Sequence, residues 1–182
     1  VAENANLVIV GMNVLNYFNG DGLGGGFPTS RGAPTADAFA MQSAKIVSAL
    51  TAMNADIIGL MEIENDGYGL IQNFAVNGHE ITIAVNHLKS KGSACGEVDE
   101  GSDGQGNCNI KRTRAAQALV EFLANVESDG VMILGDLNAY SQEDPMQVFY
   151  AADFTNLKYT AASTEAQPYS YSFSGLLGSL DH

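Results

Sequence analysis

The apolar positions of the chain fall into two kinds of run. Leu7 to Val10 is continuously apolar, the pattern of a strand buried on both faces, and it continues through Met12-Asn13-Val14-Leu15. Asn19-Gly20-Asp21-Gly22-Leu23-Gly24-Gly25-Gly26 then breaks all regular structure and reads as a surface loop. It lacks the Gly-Lys-Ser/Thr ending of a phosphate-binding loop. Pro34-Thr35 predicts a helix start, with Thr35 as cap and Asp37 in the first turn. Phe39, Ile46, Val47, Leu50 and Met53 follow helical spacing and predict its apolar face, and Asn54 ends it. Asp56 to Glu62 reads as a second buried strand. Strand, amphipathic helix and strand together predict a β-α-β unit.

Gly67-Tyr68-Gly69 predicts a turn. Phe74-Ala75-Val76 and Glu80 to Val85 flank Asn77-Gly78, a strong hairpin signal. A helix is predicted from about Arg112 to Val126, with Ala116, Leu119, Val120, Leu123 and Val126 on its apolar face. Val131 to Leu134 is another buried strand, ending in Gly135-Asp136. Asp144-Pro145 starts a short helix, and Tyr169 to Phe173 alternates like a strand. There is no internal repeat and no linker. A single α/β domain over residues 1–182 is expected.

Charge changes this picture in one respect. Against 21 acidic residues stand 8 basic ones, a net charge of -13. Such a field repels polyanions and argues against broad wrapping of nucleic acid or anionic membrane, but not against a local phosphate site. Five of the basic residues, Lys89, Lys91, Lys111, Arg112 and Arg114, fall in one short stretch. Trp is absent, and Tyr and Phe are scattered, so no repeating stacking platform is visible. No window carries the ~18 consecutive apolar residues of a membrane span. The N-terminal Val1-Ala2-Glu3-Asn4 has no signal-peptide character.

Cys95 and Cys108 bracket a loop rich in Gly, Asp, Ser and Asn. Without a neighbouring His they make a poor zinc site, which leaves a disulfide or two free thiols. The disulfide is favoured, because a polar loop gains most from a cross-link, and it implies an oxidising compartment, extracellular or periplasmic.

Buried strands that end in polar residues carry the candidate chemistry, since α/β folds place it at the carboxyl ends of strands. Those ends are Asn13, Glu62, His87 and Asp136 with Asn138; Asp181 is a fifth candidate. The set is rich in oxygen, which selects Mg²⁺, Mn²⁺ or Ca²⁺ over zinc. Glu64 is an alternative ligand to Glu62. His79, beside the hairpin turn, reads as solvated surface, and Met41, Met53 and Met61 as core fillers. Asp99 to Asp103 is a weaker Ca²⁺ candidate without the spacing of a known loop.

Four segments, in order, share a pattern: Gly11-Met12-Asn13-Val14-Leu15-Asn16-Tyr17-Phe18, Gly59-Leu60-Met61-Glu62-Ile63-Glu64-Asn65, Val85-Asn86-His87-Leu88-Lys89-Ser90-Lys91-Gly92 and Ile133-Leu134-Gly135-Asp136-Leu137-Asn138-Ala139-Tyr140. The pattern resembles the endonuclease/exonuclease/phosphatase family, the deoxyribonuclease I-like fold. It is most similar to the bacterial extracellular nucleases of that family, which Asp103 to Asn109 and Thr113 to Gln117 also resemble. The resemblance implies an α/β/β/α sandwich. It implies that Asn13 and Glu62 hold a divalent metal, Mg²⁺ or else Mn²⁺ or Ca²⁺. His87 would contact the scissile phosphate and protonate the leaving oxygen, Asp136 would orient or deprotonate water, and Asn138 would hold a phosphate oxygen. Lys89, Lys91, Arg112 and Arg114 would meet backbone phosphates.

Two departures qualify the resemblance. Glu62 and His87 lie closer in sequence than family members place them, so part of the sandwich is expected to be missing. The ending Gly175-Leu176-Leu177-Gly178-Ser179-Leu180-Asp181-His182 looks like the family motif whose Asp orients a later catalytic histidine, rather than the Ser-Asp-His motif itself. On that alignment His182 is not the catalytic histidine, and the sequence is expected to be a fragment or to lack segments of the working protein. An incomplete second sheet would expose strand edges that need a cover or a partner. The expectation is therefore a secreted, metal-dependent phosphodiesterase, a nuclease on DNA or RNA. The alternatives are a catalytically incomplete binding or structural module, and a phosphomonoesterase or phospholipase on the same fold.

Overall fold

A computed structural model describes residues 7–20, 26–64, 71–96, 104–160, 169–173 and 175–182. The predicted turn at Gly67-Tyr68-Gly69, the candidate Asp99 to Asp103 and the middle of the glycine loop lie outside the described residues. The chain divides into two compact units, Val1–Leu70 and Ile71–His182.

The first unit is the predicted β-α-β. Strand β1 (Ile9–Tyr17) pairs in parallel with β2 (Ile57–Ile63), and helix α1 (Ala36–Met53) connects them. Thr35 caps α1, its hydroxyl accepting from the Ala38 N–H at 3.1 Å, and Asn54 closes it in the left-handed conformation. Both ends are thus set by the residues that predicted them. Val14 and Met61 are buried, and Tyr17 stacks on Phe39 at 4.4 Å between ring centroids. One expectation fails: Val47, assigned to the apolar face of the helix, is 61% exposed. It lies to one side of the stripe that Phe39, Ile46, Leu50 and Met53 half-bury.

The second unit is built on a three-stranded sheet, β3 (Ile71–Val76), β4 (His79–His87) and β5 (Gly130–Asp136), in that order. The β3–β4 hairpin turns at Asn77-Gly78, both with positive φ, as its sequence requires. Strand β4 then pairs in parallel with β5 after a crossover through α2 (Asn109–Leu123). The helix begins before its predicted start, because Cys108 takes the left-handed conformation and the Arg112 N–H already bonds the Cys108 carbonyl. Beyond α3 (Asp144–Ala151) and the single turn α4 (Leu157–Thr160), a small hairpin forms from β6 (Tyr171–Phe173) and β7 (Leu176–Gly178).

The core of this unit is Leu88, Ala116, Leu137, Ala139, Met146 and Phe149. Its members alternate along the chain with the candidate site residues: His87 precedes Leu88, and Asp136 and Asn138 flank Leu137. The apolar neighbours anchor each strand end beside the polar side chains, and Asn138 itself is buried. Among the described residues no helix is long and apolar enough to cross a membrane.

Candidate active site

The candidate residues form two clusters, one in each unit. In the first, the carboxyl ends of β1 and β2 are irregular together. Register shifts between Asn13 and Tyr17, and Leu15, Asn16 and Glu62 all have positive φ, at 56°, 50° and 61°. A non-glycine residue held there costs about 1–2 kcal/mol, so three together mark a locally imposed geometry. What that geometry achieves is visible at Glu62. Its Oε1 accepts from the Asn13 amide at 3.0 Å, and its Oε2 accepts from the Asn16 N–H at 2.8 Å. Asn13 Oδ1 in turn accepts from the Leu15 N–H at 2.9 Å. Glu64 serves a different purpose, since its carboxylate accepts from the Asn19 and Gly20 N–H groups and pins the start of the glycine loop.

This donor set fits a hard divalent cation. The Glu62 carboxylate and the Asn13 amide oxygen are the hard oxygen donors that suit Mg²⁺. Among the described residues no three or more His, Cys, Asp or Glu side chains group around one point. A cation here would be held by Glu62 and Asn13 with water and substrate oxygens, the usual protein share for Mg²⁺.

The second cluster lies at the carboxyl end of the β4–β5 pair. His87 and Asp136 are register partners, with His87 Nε2 3.7 Å from Asp136 Oδ2. Gly135 permits this closeness: a Cβ there would lie 1.9 Å from the Asn86 carbonyl oxygen, and its φ is +141°. The two strand ends are then laced together. The Leu88 N–H donates to the Asp136 carbonyl at 3.0 Å, and the Asn138 amide donates to the Leu88 carbonyl at 3.1 Å. Asp136 Oδ1 accepts from the Asn138 N–H at 3.0 Å, a turn that holds Asn138 at positive φ. On the other side of β5, Asp181 bridges Asp136 in antiparallel sense, and Gly135 and His182 exchange both backbone hydrogen bonds at 2.9 Å. His87, Asp136 and Asp181 therefore stand side by side on three adjacent extended segments.

His182 has a different task. Its Nε2 lies 2.9 Å from the Ala139 carbonyl, which can only accept, so Nε2 carries the proton. Its Nδ1 is then an acceptor, and the Asn156 amide donates to it at 3.0 Å. Burial, helped by the Lys158 ammonium, lowers its pKa and keeps the ring neutral. Both nitrogens are engaged in holding the chain around Ala139. Lys158 bonds the Ser179 hydroxyl and the Asp181 carbonyl, and burial lowers its pKa as well.

The basic stretch separates by burial. Lys89 and Arg114 are exposed, and Lys89 bonds the Ser93 hydroxyl at 2.9 Å. Lys91 is half-buried, paired with Glu143 and bonded to the Gln105 carbonyl. Arg112, expected to meet phosphates, is instead fully buried and donates to the carbonyls of Lys89, Asn107 and Gln105. A helix-spacing argument could not foresee this, because its partners Lys89, Gln105 and Asn107 all lie before the helix in sequence. Cys95 and Cys108 are joined across that loop.

Sequence reading missed one feature of this surface. Tyr140, Tyr159 and Tyr171, far apart in the chain, are linked through Gly178 and Ser141. The Tyr140 ring lies over Gly178, the strand partner of Tyr171, and a Cβ on Gly178 would fall 2.3 Å from the ring. Tyr159 reaches it through Ser141, the two hydroxyls 2.8 Å apart. Glycine at position 178 was the available signal, but only the fold shows which ring requires it.

No protein-family model matches the chain, and no curated protein does. Two solved structures are similar over part of it. Sphingomyelinase C from Streptomyces griseocarneus is 24% identical, with a TM-score of 0.35, over 45% of this chain and 26% of that one. Beta toxin from Staphylococcus aureus is 20% identical, with a TM-score of 0.34, over 52% of this chain and 34% of that one. The chain thus spans about a third or less of either protein's length.

Proposed function

We propose that the chain is the phosphate-handling part of a divalent-metal-dependent phosphodiester hydrolase acting on nucleic acid outside the cytoplasm. The observation that supports this best is the pairing of His87 with Asp136 at adjoining strand ends, with Asn138 held in the following turn. Hydrolysis of a phosphodiester needs a group to take a proton from water and a group to return one to the leaving oxygen. An imidazole and a carboxylate side by side meet that need. Asp136 orients and deprotonates water as it attacks phosphorus, and His87 donates its proton as the bond to the leaving oxygen breaks. Asn138 spends one amide hydrogen on Leu88 and offers the other to a phosphate oxygen. Asp181, bridged to Asp136, completes the carboxylate set, and Lys89 and Arg114 contact flanking phosphates. Asn13 and Glu62 would hold a divalent cation, Mg²⁺ or its substitutes Mn²⁺ and Ca²⁺, whose chemistry is the neutralisation of charge on a phosphate ester.

The deciding experiment is plasmid nicking with Mg²⁺ and Ca²⁺, with EDTA, and with Asp136→Ala. Metal-dependent nicking that falls by about 10²-fold or more in the folded variant supports the reading. Equal activity in the variant overturns the role of Asp136. Binding of metal or oligonucleotide without turnover points to a non-catalytic module. Turnover of sphingomyelin or of mononucleotides, with none of DNA or RNA, moves the substrate to another phosphate ester.

A further inference from the structure

We propose that Asn16, through its side-chain oxygen, is a third protein ligand of the divalent cation assigned to Asn13 and Glu62. The inference rests on the reading of that cation site and deepens it by one residue. Three observations carry it.

The first is placement. Asn13 pairs with Met61 and Tyr17 with Ile63, so Val14, Leu15 and Asn16 of β1 stand opposite Glu62 alone. Extra residues of this kind bend a strand and re-aim a side chain, and they gather beside active sites. Here the bulge brings the Asn16 N–H to Glu62 Oε2 at 2.8 Å, while the Asn13 amide donates to Oε1 at 3.0 Å. The Cα that bears the Asn16 side chain is bonded to the nitrogen that meets the carboxylate. Covalent geometry therefore keeps the Asn16 oxygen within one short side chain of Glu62.

The second is an unmet oxygen. Among the described residues Asn16 Oδ1 is buried and has no hydrogen-bond partner. A carbonyl oxygen taken out of water without a donor loses its hydration and gains nothing, so such an atom asks for an ion or an ordered water. Asn13 is engaged differently, since its nitrogen donates to Glu62 and its oxygen accepts from the Leu15 N–H at 2.9 Å. A neutral amide oxygen beside a carboxylate is a donor type that Mg²⁺, Mn²⁺ and Ca²⁺ accept.

The third is the choice of residue. Asn16 has a φ of 50°, and Leu15 and Glu62 hold similar angles. Asparagine tolerates this conformation and glycine adopts it without strain, so the backbone alone does not demand an amide. The oxygen is what asparagine adds. Asn19 supplies an internal comparison: its Oδ1 is also buried without a partner, but its N–H bonds Glu64 at 2.9 Å rather than Glu62.

The test is calorimetric titration of the chain with Mn²⁺, beside Asn16→Gly, Asn16→Asp, Asn19→Ala and Glu62→Gln, with thermal unfolding of each in EDTA. Asn16→Gly keeps the positive φ and removes the oxygen. It is expected to weaken Mn²⁺ binding by about 10-fold or more. Asn16→Asp sets a second carboxylate beside Glu62. It should lower the unfolding temperature in EDTA and yet bind Mn²⁺ more tightly, a reversal that a purely structural residue does not produce. Asn19→Ala should leave the affinity unchanged. Unchanged affinity in Asn16→Gly, with binding lost in Glu62→Gln, overturns the role of Asn16 alone and assigns its oxygen to a water. Weaker or equal binding in Asn16→Asp overturns it too, and decides the matter if Asn16→Gly does not fold. Mn²⁺ binding that survives Glu62→Gln, or no binding by the unaltered chain, overturns the cation site and Asn16 with it. Asn16-dependent binding without hydrolysis of bis(p-nitrophenyl) phosphate keeps the ligand and sinks the catalytic reading.

Discussion

His87 and Asp136 face each other across two parallel strands, 3.7 Å apart, with the backbone of Leu88 tied to both Asp136 and Asn138. Two groups so placed act as a unit, and their removal should not be additive. His87→Asn and Asp136→Asn are each expected to lower turnover by about 10²- to 10⁴-fold. The double variant should lose little more than the worse single one. Asp136→Asn keeps an amide oxygen for the Asn138 N–H, so the turn survives and the comparison reads chemistry rather than folding. Single-turnover hydrolysis of a simple phosphodiester measures all three, and additive losses would show that the two side chains act separately.

Glu62 is held at positive φ while both its oxygens accept hydrogen bonds. Glu62→Gln is expected to abolish metal binding and to destabilise the fold by about 1 kcal/mol. An amide at this position turns a donor either toward the Asn13 amide nitrogen or toward the Asn16 N–H. Asn13 cannot flip to suit it without losing its bond to Leu15. Calorimetric titration with Mn²⁺, alongside urea unfolding, checks both statements. Metal binding of unchanged affinity would place the cation elsewhere.

Much of this architecture was legible because local signals agreed with it. Thr35 and Asn54 mark the ends of α1, Asn77-Gly78 sets the first hairpin, and apolar runs ending in Glu62 and Asp136 locate the strand ends. Each feature depends on a few neighbouring residues. Arg112 was not legible, because its carbonyl partners at Lys89, Gln105 and Asn107 belong to a loop that only closes in three dimensions. The tyrosine cluster was hidden for the same reason. A pattern search along the chain sees Tyr140, Tyr159 and Tyr171 as scattered, and what unites them is the seat of one ring on Gly178. The partners of His182, Ala139 and Asn156, are likewise distant in sequence.

His182 gives the fold a pH dependence of definite sign. Its folded pKa lies below the ordinary 6.5, first because of burial. The unfolded chain therefore binds the proton more readily. The contribution of His182 to stability is complete above pH 6.5 and is lost as pH falls toward and through the lowered folded value. Protonation would also add a second cation beside Lys158, with only Asp181 to offset it. Thermal unfolding of the chain should shift to lower temperature between about pH 7 and pH 5, and less steeply in His182→Gln. Identical slopes in the two proteins would remove His182 from the account.

The buried and exposed members of the basic stretch should separate under salt. Arg112→Ala leaves three carbonyls without their guanidinium partner in a closed interior, so a stability loss of about 2–4 kcal/mol is expected. Arg112→Lys should recover only part of it, since one ammonium cannot match the planar fork. Neither change should alter how binding of single-stranded DNA depends on salt, measured at temperatures where the variants remain folded. Lys89→Ala and Arg114→Ala touch the exposed pair and should do the opposite. Stability should change by less than about 0.5 kcal/mol. Each variant should lower the slope of log affinity against log salt by about 0.7, the release of one counterion from a single strand. A slope change in Arg112→Lys equal to that in Arg114→Ala would return Arg112 to the phosphate-binding surface.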